Sequence, residues 1–207
     1  MTAERRRAPD RVVRELLIDR QLPRFEARTL SALVVDAPTE ETYCAVRELD
    51  PDQVGETVPF MQLMVRLRDL PARIRRRSRG GGAPVPERLS SEQYREAFLV
   101  IDEEPGVEFV IGMIGKFMKP TQMEFRRFEP PEFAGFDEPG YGKVASNFLV
   151  LPYGTRRSLL STETRTATTD PVSARRFRRY WKVIGPFAGY IMGHWLTLGK
   201  QHAERAQ

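Results

Sequence analysis

Apolar and polar positions along the chain change period several times, and each change marks an element. Arg11 to Asp19 has the 3.6-residue spacing of a short amphipathic helix that ends before Pro23. From Phe25 to Val35 the pattern becomes strand-like, with Leu30, Leu33, Val34 and Val35 crowded together. Asp36-Ala-Pro breaks that strand. Thr39, with Glu40 and Glu41 behind it, then opens a helix from Glu40 to Leu49, because a hydroxyl and early carboxylates satisfy free N–H groups. Phe60, Met64 and Leu67, flanked by Met61 and Val65, predict a second helix over 59–77 with a kink at Pro71. Three glycines and two prolines between Arg75 and Pro86 make the next stretch a loop.

The middle of the chain reads as strands. Ala97–Glu103 and Val107–Met118 flank a tight turn at Pro105-Gly106, and Met123–Phe128 is a further strand before the turns around Pro130, Pro131 and Pro139. Lys143–Leu151 and Arg157–Thr168 form a second hairpin about Pro152-Tyr-Gly154. Asp170-Pro171 is a capping carboxylate followed by proline at the first helical position. Beyond it Phe177, Trp181, Ile184, Ala188, Ile191, Trp195 and Leu198 recur in steps of four and three. That spacing holds one face of a long helix, with Tyr180, Phe187 and His194 on its flank and a kink at Gly185-Pro186. A strand, two helices, a run of antiparallel strands and a long last helix predict an α+β fold. In it a curved antiparallel sheet wraps the C-terminal helix and leaves a space between them.

Composition narrows the chemistry. One cysteine, Cys44, and two histidines among 207 residues exclude an internal disulfide and a four-ligand zinc site of thiolates and imidazoles. No run approaches the ~20 apolar residues of a membrane span, and the basic start lacks the apolar core of a secretory signal, so a cytoplasmic location is expected. The net charge of +5 comes mostly from arginine, a skew that the codons of a GC-rich genome also produce. Arg75, Arg76, Arg77 and Arg79, and Arg175, Arg176, Arg178 and Arg179, are two basic clusters read as solvated faces. No specific nucleic-acid partner is expected, because the aromatics follow the buried stripe instead of interleaving with these arginines. Gly80-Gly81-Gly82 lacks the Gly-Lys-Ser/Thr ending of a phosphate loop. No metal or nucleotide cofactor is expected.

Four segments together resemble the START-like, Bet v 1-like superfamily, the polyketide cyclase/dehydrase and lipid-transport type. They are Val34-Val-Asp-Ala-Pro38, Phe109-Val-Ile-Gly-Met-Ile-Gly115, Leu160-Ser-Thr-Glu-Thr-Arg165 and Arg176-Phe-Arg-Arg-Tyr-Trp181. The resemblance covers about residues 24–205. It implies a helix-grip fold over 24–207, an N-terminal helical extension over 1–23, and a hydrophobic small molecule or lipid bound, or carried, in an internal cavity.

The cavity wall is expected from Phe177, Tyr180, Trp181, Ile184, Phe187, Ile191 and Trp195 of the last helix, with Met64 and Met113 as an adaptable part of it. The alternative for these residues is plain core packing. Glu163 and Arg165, two apart on one strand, share a face: pointing inward they orient a ligand, pointing outward they are a paired surface couple. Asn147 and Ser146 lie on opposite faces, so only one points into a cavity. The competing function is an aromatase/cyclase or dehydratase-type enzyme, which needs Glu163, Arg165, Tyr180 and His194 to converge. The Arg75–Arg79 loop and the N-terminal helix are either simple connections or a peripheral contact with anionic lipid head groups.

Overall fold

The computed structural model describes residues 14–50, 98–118 and 124–206. The expected helix over 59–77 with Met61 and Met64, the Arg75–Pro86 loop and the basic start of the chain lie outside the described residues. The described elements are α1 (Leu17–Gln21), β1 (Ala27–Val35), α2 (Thr39–Arg47), β2 (Leu99–Glu104), β3 (Glu108–Gly115), β4 (Phe125–Arg126), α3 (Glu132–Gly135), β5 (Gly142–Pro152), β6 (Ser158–Thr168) and α4 (Pro171–Arg205).

The strands form one antiparallel sheet in the order β1-β6-β5-β3-β2. Short β4 pairs with Ile114 and Gly115 of β3, on the edge that β2 leaves beyond Leu99. Both predicted hairpins are present. Their turns hold Gly106 and Gly154 at φ +78°, a left-handed conformation that costs glycine nothing and other residues a steric clash. The register slips between Val100 and Asp102 of β2, a bulge that bends this edge of the sheet.

Because side chains alternate along a strand, the register assigns each residue to one of two faces. Phe109, Phe148, Thr162 and Ser31 stand in one row facing α4; Val110, Asn147, Glu163 and Leu30 stand in the next row facing away. Both faces are covered. On the α4 side, Val35, Phe109, Phe148, Val150 and Leu160 pack with Tyr43 and Val46 of α2 and with Met192 and Leu196 of α4. On the back, Val110, Ile114 and Ala145 pack with Leu17, Ile18 and Leu22 and with Phe133 of α3. The N-terminal segment expected as an extension therefore supplies α1 to the core, with Ile18 fully buried.

α4 runs 35 residues, about 50 Å at 1.5 Å per residue. Its start is set by Asp170, whose carboxylate accepts from the backbone N–H groups of Val172 (2.8 Å) and Ser173 (2.9 Å). Pro171 follows at the position where a missing N–H costs nothing. The helix continues through Pro186 and crosses the sheet over β6 and β1, with α2 against its C-terminal half. A curved antiparallel sheet gripping a long C-terminal helix is the helix-grip arrangement.

Candidate functional site

α4 is deeply buried toward both ends, at Phe177 and Leu196, and half-buried in its middle stretch. Near its start, Phe177, Tyr180 and Trp181 join Ala27, Met113, Phe117 and Met118 in one apolar cluster. Near its end, Met192, Trp195, Leu196 and Ala203 pack on Phe148, Val150 and Leu160. Between the two, Ile184, Ala188 and Ile191 are half-buried. Gly185 lets the Trp181 indole lie along the helix, since a Cβ there would come 2.9 Å from its ring nitrogen.

Opposite this half-buried stretch the sheet is hydroxyl-rich. The row Ile111, Ser146, Thr164, Thr29 and its neighbours Thr162, Ser31 and Thr166 all face α4. Gly193 faces this row: a Cβ on it would be in ordinary contact with the Ser31 hydroxyl, at 4.0 Å. Ser146 and Thr164 satisfy each other at 2.7 Å. Thr29 Oγ1, Thr162 Oγ1 and Trp195 Nε1 are buried with no hydrogen-bond partner. An unmade hydrogen bond on a buried donor or acceptor costs about 1–3 kcal/mol, so three in one place are a substantial local strain. They are near one another: Thr162 stands directly across from Phe148, and the Phe148 and Trp195 rings are 5.3 Å apart. Thr29 is the diagonal neighbour of Thr162, a spacing of about 7 Å. The Tyr180 hydroxyl, at the other end of the half-buried stretch, is pushed above its ordinary pKa by burial.

Glu163 and Arg165 do not line this space. The register turns them to the back of the sheet, beneath α1, where they build a different structure. Arg165 Nε donates to Glu163 (2.7 Å), Nη2 to Asp19 (2.7 Å) and Nη1 to the backbone oxygen of Leu22 (3.2 Å). Its guanidinium also sits 4.8 Å from the centre of the Phe25 ring. Burial works against the charge, but the bonds to Glu163 and Asp19 outweigh it and hold the Arg165 pKa above its usual value. Asn147 continues the chain: its Oδ1 accepts from the Glu163 backbone N–H (2.7 Å) and its Nδ2 donates to fully buried Glu108 (2.7 Å). Glu108 in turn accepts from the Leu17 N–H at 3.1 Å. The four groups required for acid–base chemistry consequently do not converge. Two lie behind the sheet, while Tyr180 and His194 are about 20 Å apart along α4.

Met113 is buried in the same apolar cluster as Phe177; Met64 lies outside the described residues. Of the pair Ser146 and Asn147, Ser146 faces α4. The hydroxyl rows were not anticipated, although Thr162, Thr164, Thr166 and Thr168 alternate visibly in the sequence. Arg175, Arg176, Arg178 and Arg179 are exposed. Among the described residues, no three His, Cys, Asp or Glu side chains come together as metal ligands. A separate shallow cleft of about 430 Å³ lies beside α3 between Arg126, Phe128, Phe136 and Glu138, remote from the candidates of the sequence.

No family model and no curated protein matches the sequence. Among solved structures, the chain is similar to a conserved protein from Geobacillus kaustophilus at 10% identity and TM-score 0.43, over 87% of this chain and 97% of that one. It is similar to the Zhui aromatase/cyclase from Streptomyces sp. R1128 at 10% identity and TM-score 0.30, over 86% and 94% of the two chains. It is also similar to norcoclaurine synthase from Thalictrum flavum, solved with dopamine and hydroxybenzaldehyde, at 13% identity and TM-score 0.30, over 85% and 87%.

Proposed function

We propose that this chain binds a hydrophobic small molecule between the α4-facing side of the sheet and the middle of α4. The observation that carries the reading is the uneven burial of α4: Ile184, Ala188 and Ile191 on its apolar stripe are half-buried, while Phe177 and Leu196 toward its two ends are fully buried. Completing the burial of such side chains contributes about 1 kcal/mol each, which is the driving force an apolar ligand would draw on. Binding is favoured over catalysis because Glu163 and Arg165, the charged candidates of the sequence, are engaged behind the sheet.

The test uses Nile red as an uncharged apolar probe. One saturable site is expected, with affinity reduced at least about tenfold in Ile184→Trp and Ile191→Trp, which fill the space. Tyr190→Ala, on the solvent side of α4, leaves it unchanged. Probe binding that ignores both tryptophan variants, or no binding at all, overturns the reading. Native mass spectrometry of the purified protein identifies any ligand it retains.

Among the described residues no helix is long and apolar enough to cross a membrane. The contact of Arg75–Arg79 with anionic lipid belongs to the same proposal, as a route for the ligand into the site. Retention on anionic but not neutral vesicles, lost at high salt, is the expected result; equal retention on both refutes it.

A further inference from the structure

We infer that the ligand of this site is uncharged and carries carbonyl or hydroxyl oxygens, which Thr29, Thr162 and Trp195 receive; the inference rests on the binding reading above. Trp195 Nε1 is a donor only, so it needs an acceptor, and each threonine hydroxyl both donates and accepts. All three atoms are buried and unpartnered, and Thr162 is 1% exposed. A pure hydrocarbon would cover them and leave every one unmet. Thr162 stands across from Phe148, whose ring is 5.3 Å from that of Trp195, so both polar groups border one aromatic ring, and ligand oxygens beside it would serve them. A further oxygen meets Thr29, one diagonal step away on the same face.

The charge of the ligand follows from what faces it. On the four strands β1, β3, β5 and β6, every described residue turned toward α4 opposite this stretch is apolar or a hydroxyl. The ionisable residues of the same strands, Arg28, Glu108, Lys143, Glu163 and Arg165, are all turned to the other side, where Glu108 and Lys143 are hydrogen-bonded and Glu163 pairs with Arg165. Tyr180 is held in its neutral form by burial, and His194 on α4 is already engaged. A carboxylate entering this space would exchange its hydration for hydroxyls alone, which does not compensate an ion in a low-dielectric site. Thr29, Thr162 and Trp195 are thus specificity-determining residues, and they select against anionic lipids as well as against hydrocarbons.

Three probes of one size separate the possibilities: 2-acetylnaphthalene, 2-ethylnaphthalene and 2-naphthoate, titrated calorimetrically. The ketone is expected to bind at least about tenfold more tightly than either of the others. Thr162→Val and Trp195→Phe should each lower its affinity about threefold to tenfold and narrow the preference for the ketone over the hydrocarbon. In the absence of ligand, Thr162→Val should raise the thermal midpoint by about 2–6 °C, since it removes an unpaired buried hydroxyl without changing shape. A lowered midpoint would show that the hydroxyl is already satisfied and would overturn the inference. Hydrocarbon or naphthoate binding as tightly as the ketone overturns it too, while leaving the binding site itself intact. Failure of all three probes and of Nile red overturns both.

Discussion

Replacing Arg165 by methionine removes the centre of the network behind the sheet while keeping most of the side-chain volume. Arg165 is 6% exposed, and its guanidinium makes three hydrogen bonds of 3.2 Å or shorter, to Glu163, Asp19 and the Leu22 carbonyl. The partners lose unequally. Asp19 is 41% exposed and regains water, so its share is small. Glu163 is 11% exposed at its side chain; its remaining cation is Arg28, 3.9 Å away and 61% exposed. Stranding a buried carboxylate in this way costs about 3–5 kcal/mol. Against a total stability of roughly 5–15 kcal/mol that is about a fifth or more. Urea unfolding at pH 7 should show the midpoint falling by about 2 M at an m-value near 2 kcal/mol/M.

Two further variants identify the cause. Arg165→Lys keeps the charge but not the planar fork that reaches Glu163 and Asp19 together, so it recovers only part of the loss. Arg165→Met with Glu163→Gln should be more stable than Arg165→Met alone, because the stranded charge is gone. A loss under about 1 kcal/mol in Arg165→Met, or no recovery in the double variant, would mean that solvent reaches Glu163 and that α1 does not seal this face.

The remaining expectations concern α4. Asp170→Ala should cost about 1–2 kcal/mol as a lost cap. The Asp170 carboxyl is held down to about 2, first by the Ser173 hydroxyl and then by backbone N–H groups of Ser173, Gly140 and Val172. Because the folded value lies below the unfolded one near 3.8, the difference between wild type and Asp170→Ala is full above pH ~4 and shrinks as the pH falls toward 2; a constant difference in urea titrations across that range contradicts this. Gly199→Ala places a Cβ 2.5 Å from Val46 Cγ2 and should destabilise by about 1–3 kcal/mol, with Val46→Ala relieving part of the clash in the double variant.

Much of the architecture is legible in the sequence because it rests on local signals. Gly106 and Gly154 mark the hairpin turns, and Asp170-Pro171 marks the start of α4. The seven-position stripe locates the buried face of α4 well at Phe177, less well further on. Met192, Leu196 and Ala203 are the buried residues of the C-terminal half, while Ile191 and Leu198 are half-exposed. That half packs on α2 as well as on the sheet, where Gly199 meets Val46, so its buried face turns toward two neighbours. The direction of Glu163 and Arg165 is not legible. Strand parity puts them on one face, but both faces of β6 are buried and the α4-facing residues Thr162, Thr164 and Thr166 are themselves polar. No hydrophobic alternation distinguishes the two sides. The deciding fact is a contact with α1 more than 140 residues away, which residue spacing does not encode.

The placement of polar groups on β6 also has a physical logic that ties stability to binding. An ion pair tolerates burial only when every partner is fixed, and the back of the sheet provides that through Asn147, Asp19 and the backbone of α1. A ligand site must remain foldable while empty, and an unpaired charge there would cost several kcal/mol or neutralise itself. An unpaired hydroxyl costs about 1–3 kcal/mol, which a domain of this size survives. Threonine on the α4 side and Glu163 with Arg165 on the other is therefore the arrangement in which one strand both anchors the N-terminal helix and keeps a modest, recoverable polar deficit facing the half-buried stretch of α4. The deficit at Thr29, Thr162 and Trp195 lowers the stability of the empty protein and returns as affinity for whatever satisfies it.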